Sequence, residues 1–332
     1  MDHDAILPPA EPIPSPETAP PAQPSALRRV FVGKDGLRAI WSLLIFVALV
    51  AALAFCANRI AHAIDPHAPG GPLPGTEIPP TLLLPNELVP FLIILFVTWI
   101  MSKIERRPNS VYGLGGSRKV PRFFAGLAWG VVCLSILVLT LDKTGLLVID
   151  RRLLFGGDAL RYGAIWLVGF LLVGLLEEYL VRGYLQYTLA RALAGLYQLA
   201  FKTRRSAAFG FWTSAVVLSI LFGLGHGNNP GESPIGLLSA GLAGMVFCFS
   251  LWRTGSLWWA IGFHASWDWA QSFLYGVADS GMMAQHHLLA THPVGKPLLS
   301  GGATGPEGSI FIVAVLALAS AIIVFTLPRT QS

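Results

Sequence analysis

Three short stretches of this chain place residues that can do chemistry at helical spacings. The first reads Glu177-Glu178-Tyr179-Leu180-Val181-Arg182. On a helix, Glu178 and Arg182 stand one turn apart and can form a charge-assisted pair, while Glu177 points about 100° away. One carboxylate is then neutralised and the other left free, and a free carboxylate in a low-dielectric site suits a general base that takes a proton from water. Taken alone, the same residues also make an ion pair near a helix end with an interfacial glutamate beside it. The second stretch is Phe222-Gly223-Leu224-Gly225-His226, one turn with an aromatic below an imidazole. A lone histidine there reads as an interfacial or packed residue, and only its company raises it. The third, His264-Ala265-Ser266-Trp267-Asp268, again sets two polar groups on one face of an apolar, tryptophan-rich run. A carboxylate beside a histidine fixes its tautomer and raises its basicity, which serves proton transfer, oxyanion stabilisation or metal ligation, and also a plain structural hydrogen bond.

What singles these residues out is the rest of the chain. Of 332 residues, 54% are hydrophobic and only 12% charged, about half the charge usual in soluble domains. With a mean hydropathy of +0.61, the apolar surface must face lipid, so an all-α polytopic membrane protein is expected. The net charge of +5 then reports loop topology, and no nucleic-acid-binding patch is read. Cys56, Cys133 and Cys248 lie in apolar runs without metal or disulfide spacing and are expected to pack. An ionisable group at mid-bilayer costs roughly 2.5 to 3.5 kcal/mol, so those inside spans are functional candidates. On this reading only Glu177, Glu178 and Asp268 among the acids, and His226 and His264 among the histidines, lie well inside spans.

Windows of about 20 apolar residues give about eight transmembrane helices, at 38–57, 82–102, 122–141, 163–183, 207–226, 235–252, 256–275 and 309–327. The fourth has soft boundaries, since its helical pattern can run on to Leu193. Alternating the loops sorts 17 basic residues to one side and six to the other, which puts both termini in the cytoplasm and suggests the plasma (inner) membrane. The start is proline-rich and lacks the pattern of a cleavable signal peptide. The division expected is a disordered tail at 1–37, three N-terminal helices at 38–160, a core at 161–276, and a loop with a last helix at 277–332. The loops 58–81 and 276–308, rich in Pro, Gly and His, read as irregular connections.

Depth sets a difficulty. If a span starts at 207, His226 lies about 28 Å along it, near the outer surface, whereas Glu177 in a short fourth span sits nearer the cytoplasm. An extended, tilted fourth span brings Glu177 toward mid-depth.

The order E-E-x-x-x-R, F-x-x-x-H, H-x-x-x-N/D resembles the CPBP intramembrane proteases, the CAAX protease or Abi family that contains the type II CAAX prenyl endopeptidases. Arg182-Gly183 and Thr254-Gly255-Ser256 are in keeping with it, and the likeness covers about 163–275. The resemblance implies an intramembrane endopeptidase acting on a membrane-associated protein or peptide, with prenylated CAAX tails one substrate type. It implies that Glu177 activates a water that His226 also binds, that His264 and residue 268 stabilise the oxyanion, and that Glu178 and Arg182 hold the helix geometry. Position 268 is Asp where the prenyl endopeptidases have Asn. An ionised Asp cannot donate to an oxyanion, so Asp268 is protonated, orients His264 or ligates a metal. A divalent ion such as zinc held by Glu177, His226, His264 and Asp268 and a metal-free glutamate mechanism are both open by residue type, and no H-E-x-x-H signature is present. Outside proteolysis, the same residues fit a membrane immunity or scaffolding protein that works by binding, or a proton-coupled transporter, although no inverted repeat is seen.

Overall fold

The computed structural model describes residues 31–33, 36–65 and 77–328. The disorder expected of the tail falls mostly outside these residues; within its range, β1 (Val32–Gly33) and β2 (Gly36–Leu37) form a small antiparallel pair.

The described chain is an all-α, polytopic assembly. Six helices are long and apolar enough to cross a membrane: α1 (Ala39–Ile64), α2 (Pro80–Ile104), α3 (Lys119–Lys143), α4 (Gly156–Phe201), α5 (Ser206–Gly225, continued by one tight turn to Asn228) and α6 (Pro234–Thr254). The windows at 256–275 and 309–327 become shorter elements, α7 (Trp258–Trp269) and α8 (Ile312–Thr326). Length and apolar composition therefore support six of the eight expected spans among the described residues. The reason is physical: an apolar run satisfies a hydropathy window whether lipid or protein surrounds it. In α7 nearly every residue from Trp259 to Asp268 is buried by protein. By contrast, Val47, Phe55, Ile60 and Ile64 leave much of α1 bare for lipid, and Cys56 is exposed among them, unlike the buried Cys133 and Cys248.

Small residues let α7 sit at the centre. Gly126 and Gly130 of α3 are four apart, and a Cβ on either would strike the backbone of Trp259 or Phe263, while Gly262 of α7 meets Phe123 of α3 in the same way. This is the small-xxx-small packing that brings membrane helices into backbone contact. The α6 helix starts and stops on local signals. Ser233 accepts the Gly236 amide at 3.1 Å, Pro234 takes the first turn, and Gly255 ends the helix at φ +63°.

The segment after α7 is more ordered than an irregular connection. Strand β5 (Met283–Ala284) pairs in parallel with β3 (Glu77–Ile78), and β6 (Leu289–Pro293) pairs antiparallel with β4 (Leu147–Arg152) across a bulge. Hydrogen bonds from Gln271 Nε2 to Ala278 O (2.7 Å) and from Thr304 Oγ1 to Gly231 O (3.1 Å) fold it back on the bundle as a cap.

Candidate active site

The helix that carries Glu177 is one 46-residue element, about 69 Å long at 1.5 Å per residue. It exceeds the hydrocarbon thickness and must tilt or bend. Glu177 stands 22 residues in, near its middle, and lines the same cavity as His226, which the short fourth span did not allow. Just after it the helix widens: Glu178–Leu185 has π-type geometry, a local over-widening found often at functional sites. A second wide turn, Ala270–Leu274, follows α7.

Glu178 is fully buried, and its Oε1 accepts from Arg182 Nη1 at 2.9 Å and from His264 Nδ1 at 3.0 Å. With Nδ1 so engaged, His264 turns Nε2 toward two further carboxylates, 3.5 Å from Asp268 Oδ2 and 3.8 Å from Glu177 Oε2. Glu178 thus does more than brace its own helix, since it also orients the imidazole of another. Among the described residues Glu177 Oε2 has no hydrogen-bond partner. At 3.8 Å, His264 is beyond direct hydrogen bonding.

Aromatic rings enclose this charge. Phe222 lies 4.0 Å from the Arg182 guanidinium carbon and 4.8 Å from the His226 ring at 69°, and the His226 Nδ1 pairs with the Phe222 carbonyl at 2.8 Å. With that carbonyl accepting, the proton resides on Nδ1 and Nε2 is a free acceptor. A 440 Å³ cavity is lined by Glu177, His226, His264 and Asp268 together, from α4, the end of α5, and α7. Glu178 and Arg182 lie behind its wall, buried, with the guanidinium bound on one face by Phe222.

Four residues of this site escape the sequence reading. Glu87 lines the cavity from inside the second apolar window, between Pro85 and Pro90, so the sequence reading undercounts acids within spans. Its signal was present, an acid six residues into that window. Asp279 and Glu307 reach the cavity from the cap, where nothing in a Gly- and Pro-rich stretch marks them. Ser272 Oγ donates to Asp279 Oδ2 at 3.2 Å, and both the amide and hydroxyl of Ser280 donate to Glu307 Oε1. Burial, with Asp268 and Glu307 nearby, holds the Asp279 carboxyl well above the usual carboxylate range. Burial also pushes Glu307 upward, against the pull of the Ser280 hydrogen bonds. The fourth is Phe247 of α6, another lining residue with no polar signature.

The resident metal left open by residue type can be tested against this geometry. Both histidines are held through Nδ1, His264 by Glu178 and His226 by a backbone carbonyl, an arrangement that leaves Nε2 for a ligand, so the placement of the donors decides the fit. Among the described residues no group of three or more His, Cys, Asp or Glu side chains is placed so that it could hold a metal ion. As placed, these donors do not fit a resident ion.

No curated protein and no solved structure matches the chain. Residues 160–270, about a third of the chain and the stretch that runs from α4 through α7 with all six motif residues in it, match the family model described as type II CAAX prenyl endopeptidase Rce1-like, in keeping with a CPBP-type membrane protease domain.

Proposed function

We propose that the protein is an intramembrane endopeptidase that hydrolyses peptide bonds of membrane-associated proteins or peptides, prenylated CAAX-type tails among them, through a water activated by Glu177. The observation that carries this reading is the convergence of Glu177, His226, His264 and Asp268 on one cavity, with a Glu177 oxygen that has no hydrogen bond among the described residues. Glu177 takes a proton from water as the water oxygen attacks the scissile carbonyl carbon. His226 Nε2 accepts from the same water and so aligns it. The oxyanion that forms is met by His264 as an imidazolium, whose Nδ1–H is held by Glu178 and whose second N–H, on Nε2, faces the cavity. Asp268, unable to donate when ionised, acts through His264 rather than on the oxyanion. Collapse of the tetrahedral species breaks the C–N bond, and the proton held by Glu177 passes to the leaving amine. We read the loops rich in Lys and Arg as cytoplasmic, which puts both termini there and the enzyme in the plasma (inner) membrane.

The test is cleavage of a library of membrane-tethered peptides, prenylated and plain, by purified protein and its Glu177→Ala variant. General-base loss should reduce the rate by about 10² to 10⁴. Equal cleavage by the variant overturns the mechanism, and a Glu177→Ala gene that restores a deletion phenotype favours an immunity or scaffolding role instead.

A further inference from the structure

The three motifs lie on α4, α5 and α7, yet the site is closed by a residue of α6, which carries none of them. Phe247 is 4% exposed. Its ring stacks on His264 at 5.4 Å and 26°, and lies 5.6 Å from the Arg182 guanidinium carbon. It therefore touches both groups that donate to Glu178 Oε1. An edge contact with Phe263 at 5.9 Å and 67° limits how far the Phe247 ring can swing. One turn earlier Gly244 lets α6 come this close, since a Cβ there would stand 2.5 Å from Arg182 Nη2 and 3.0 Å from Ser219 Oγ.

A single hydrogen bond at Nδ1 fixes one point of an imidazole and leaves the ring free to rock about it. A flat surface against the ring removes that freedom. We propose that Phe247 is a positioning residue that sets the plane of the His264 ring, and so the direction of Nε2 into the cavity. The catalytic consequence rests on the proposed peptidase reading, while the geometric one stands without it. The rings on the two sides of the site divide the task. Phe222 covers Arg182 at 4.0 Å and meets His264 edge-on at 6.4 Å and 81°, so it cannot serve as the stacking face. An aliphatic side chain at 247 keeps the site apolar and loses the flat contact; a tyrosine keeps it.

The experiment compares Phe247→Leu, Phe247→Met and Phe247→Tyr in full-length protein, using peptide cleavage and the ring ¹⁵N signals of labelled histidine. His264 is assigned by the signals missing in His264→Gln. Misorientation by a fraction of an ångström should lower kcat about tenfold in the Leu and Met variants, with KM within about twofold because the Phe247 ring, 4% exposed, offers substrate little surface. The His264 signals should move in both, and Phe247→Tyr should keep the native kcat and signals. The inference is overturned if Leu and Met leave the His264 signals where they are, or if Tyr is as impaired as Leu. If the unaltered protein cleaves nothing while Leu and Met still move the signals, the peptidase reading fails and the positioning role stands.

Discussion

His264 Nδ1 lies 3.0 Å from Oε1 of Glu178, a carboxylate 86 residues earlier on a different helix. The same oxygen accepts from Arg182, so one buried atom ties the second glutamate of the first motif to the histidine of the third. Replacing Glu178 by Gln leaves the Arg182 charge buried beside an uncharged partner. Breaking a buried pair this way costs about 3 to 5 kcal/mol. Glu178→Gln should therefore show a clearly lowered Tm in detergent, whereas Glu178→Gln with Arg182→Met should recover much of it. An unchanged Tm in the single variant removes the pair from the account of stability.

Asp268 Oδ2 stands 3.5 Å from His264 Nε2 and works through that ring in the proposed mechanism. Asn at 268 keeps a polar acceptor at the same reach, as in the prenyl endopeptidases that the motif resembles. Asp268→Asn is expected to retain kcat within about tenfold, and Asp268→Ala to lose about a hundredfold, in the range set by lost orientation. Equal loss in both would assign the requirement to the negative charge.

The α3–α7 contact predicts a packing effect with no chemistry in it. Gly130→Ala drives a methyl group into the Phe263 carbonyl and Ser266 Oγ. Overpacking of this kind costs about 1 to 3 kcal/mol, to be read as a fall in Tm. Little change would mean that α7 can shift along α3.

The cap carries a pH dependence. Asp279 is a carboxyl raised in the folded protein from an ordinary value near 3.8, chiefly by burial. In the unfolded chain it ionises at lower pH, so over the window from about 3.8 to the raised folded value the unfolded state binds fewer protons and stability falls as pH rises. Asp279→Asn removes that fall. The variant should match the unaltered protein near pH 4 and melt a few degrees higher at pH 8, measured by thermal unfolding in the same detergent; a variant less stable at pH 8 would contradict the direction.

A glutamate-type mechanism predicts that exhaustive chelation, checked by elemental analysis, leaves cleavage unchanged. Loss of activity that zinc restores would instead require ligands brought together by substrate.

Composition alone determined that this chain lives in a membrane as a bundle of helices, because charge this scarce leaves no polar surface for water. Spacing alone determined which ionisable groups to examine, since helical neighbours such as Glu178 and Arg182, or His264 and Asp268, are set by the local period of the backbone. Contacts between helices have no such period. Only the tertiary structure decided that Glu178 orients His264, that Phe247 from a motif-free helix stacks on it, and that Asp279 and Glu307 enter the same cavity from a loop. Hydropathy likewise could not separate α7, enclosed by protein, from α1, largely bare for lipid, because both surroundings are apolar.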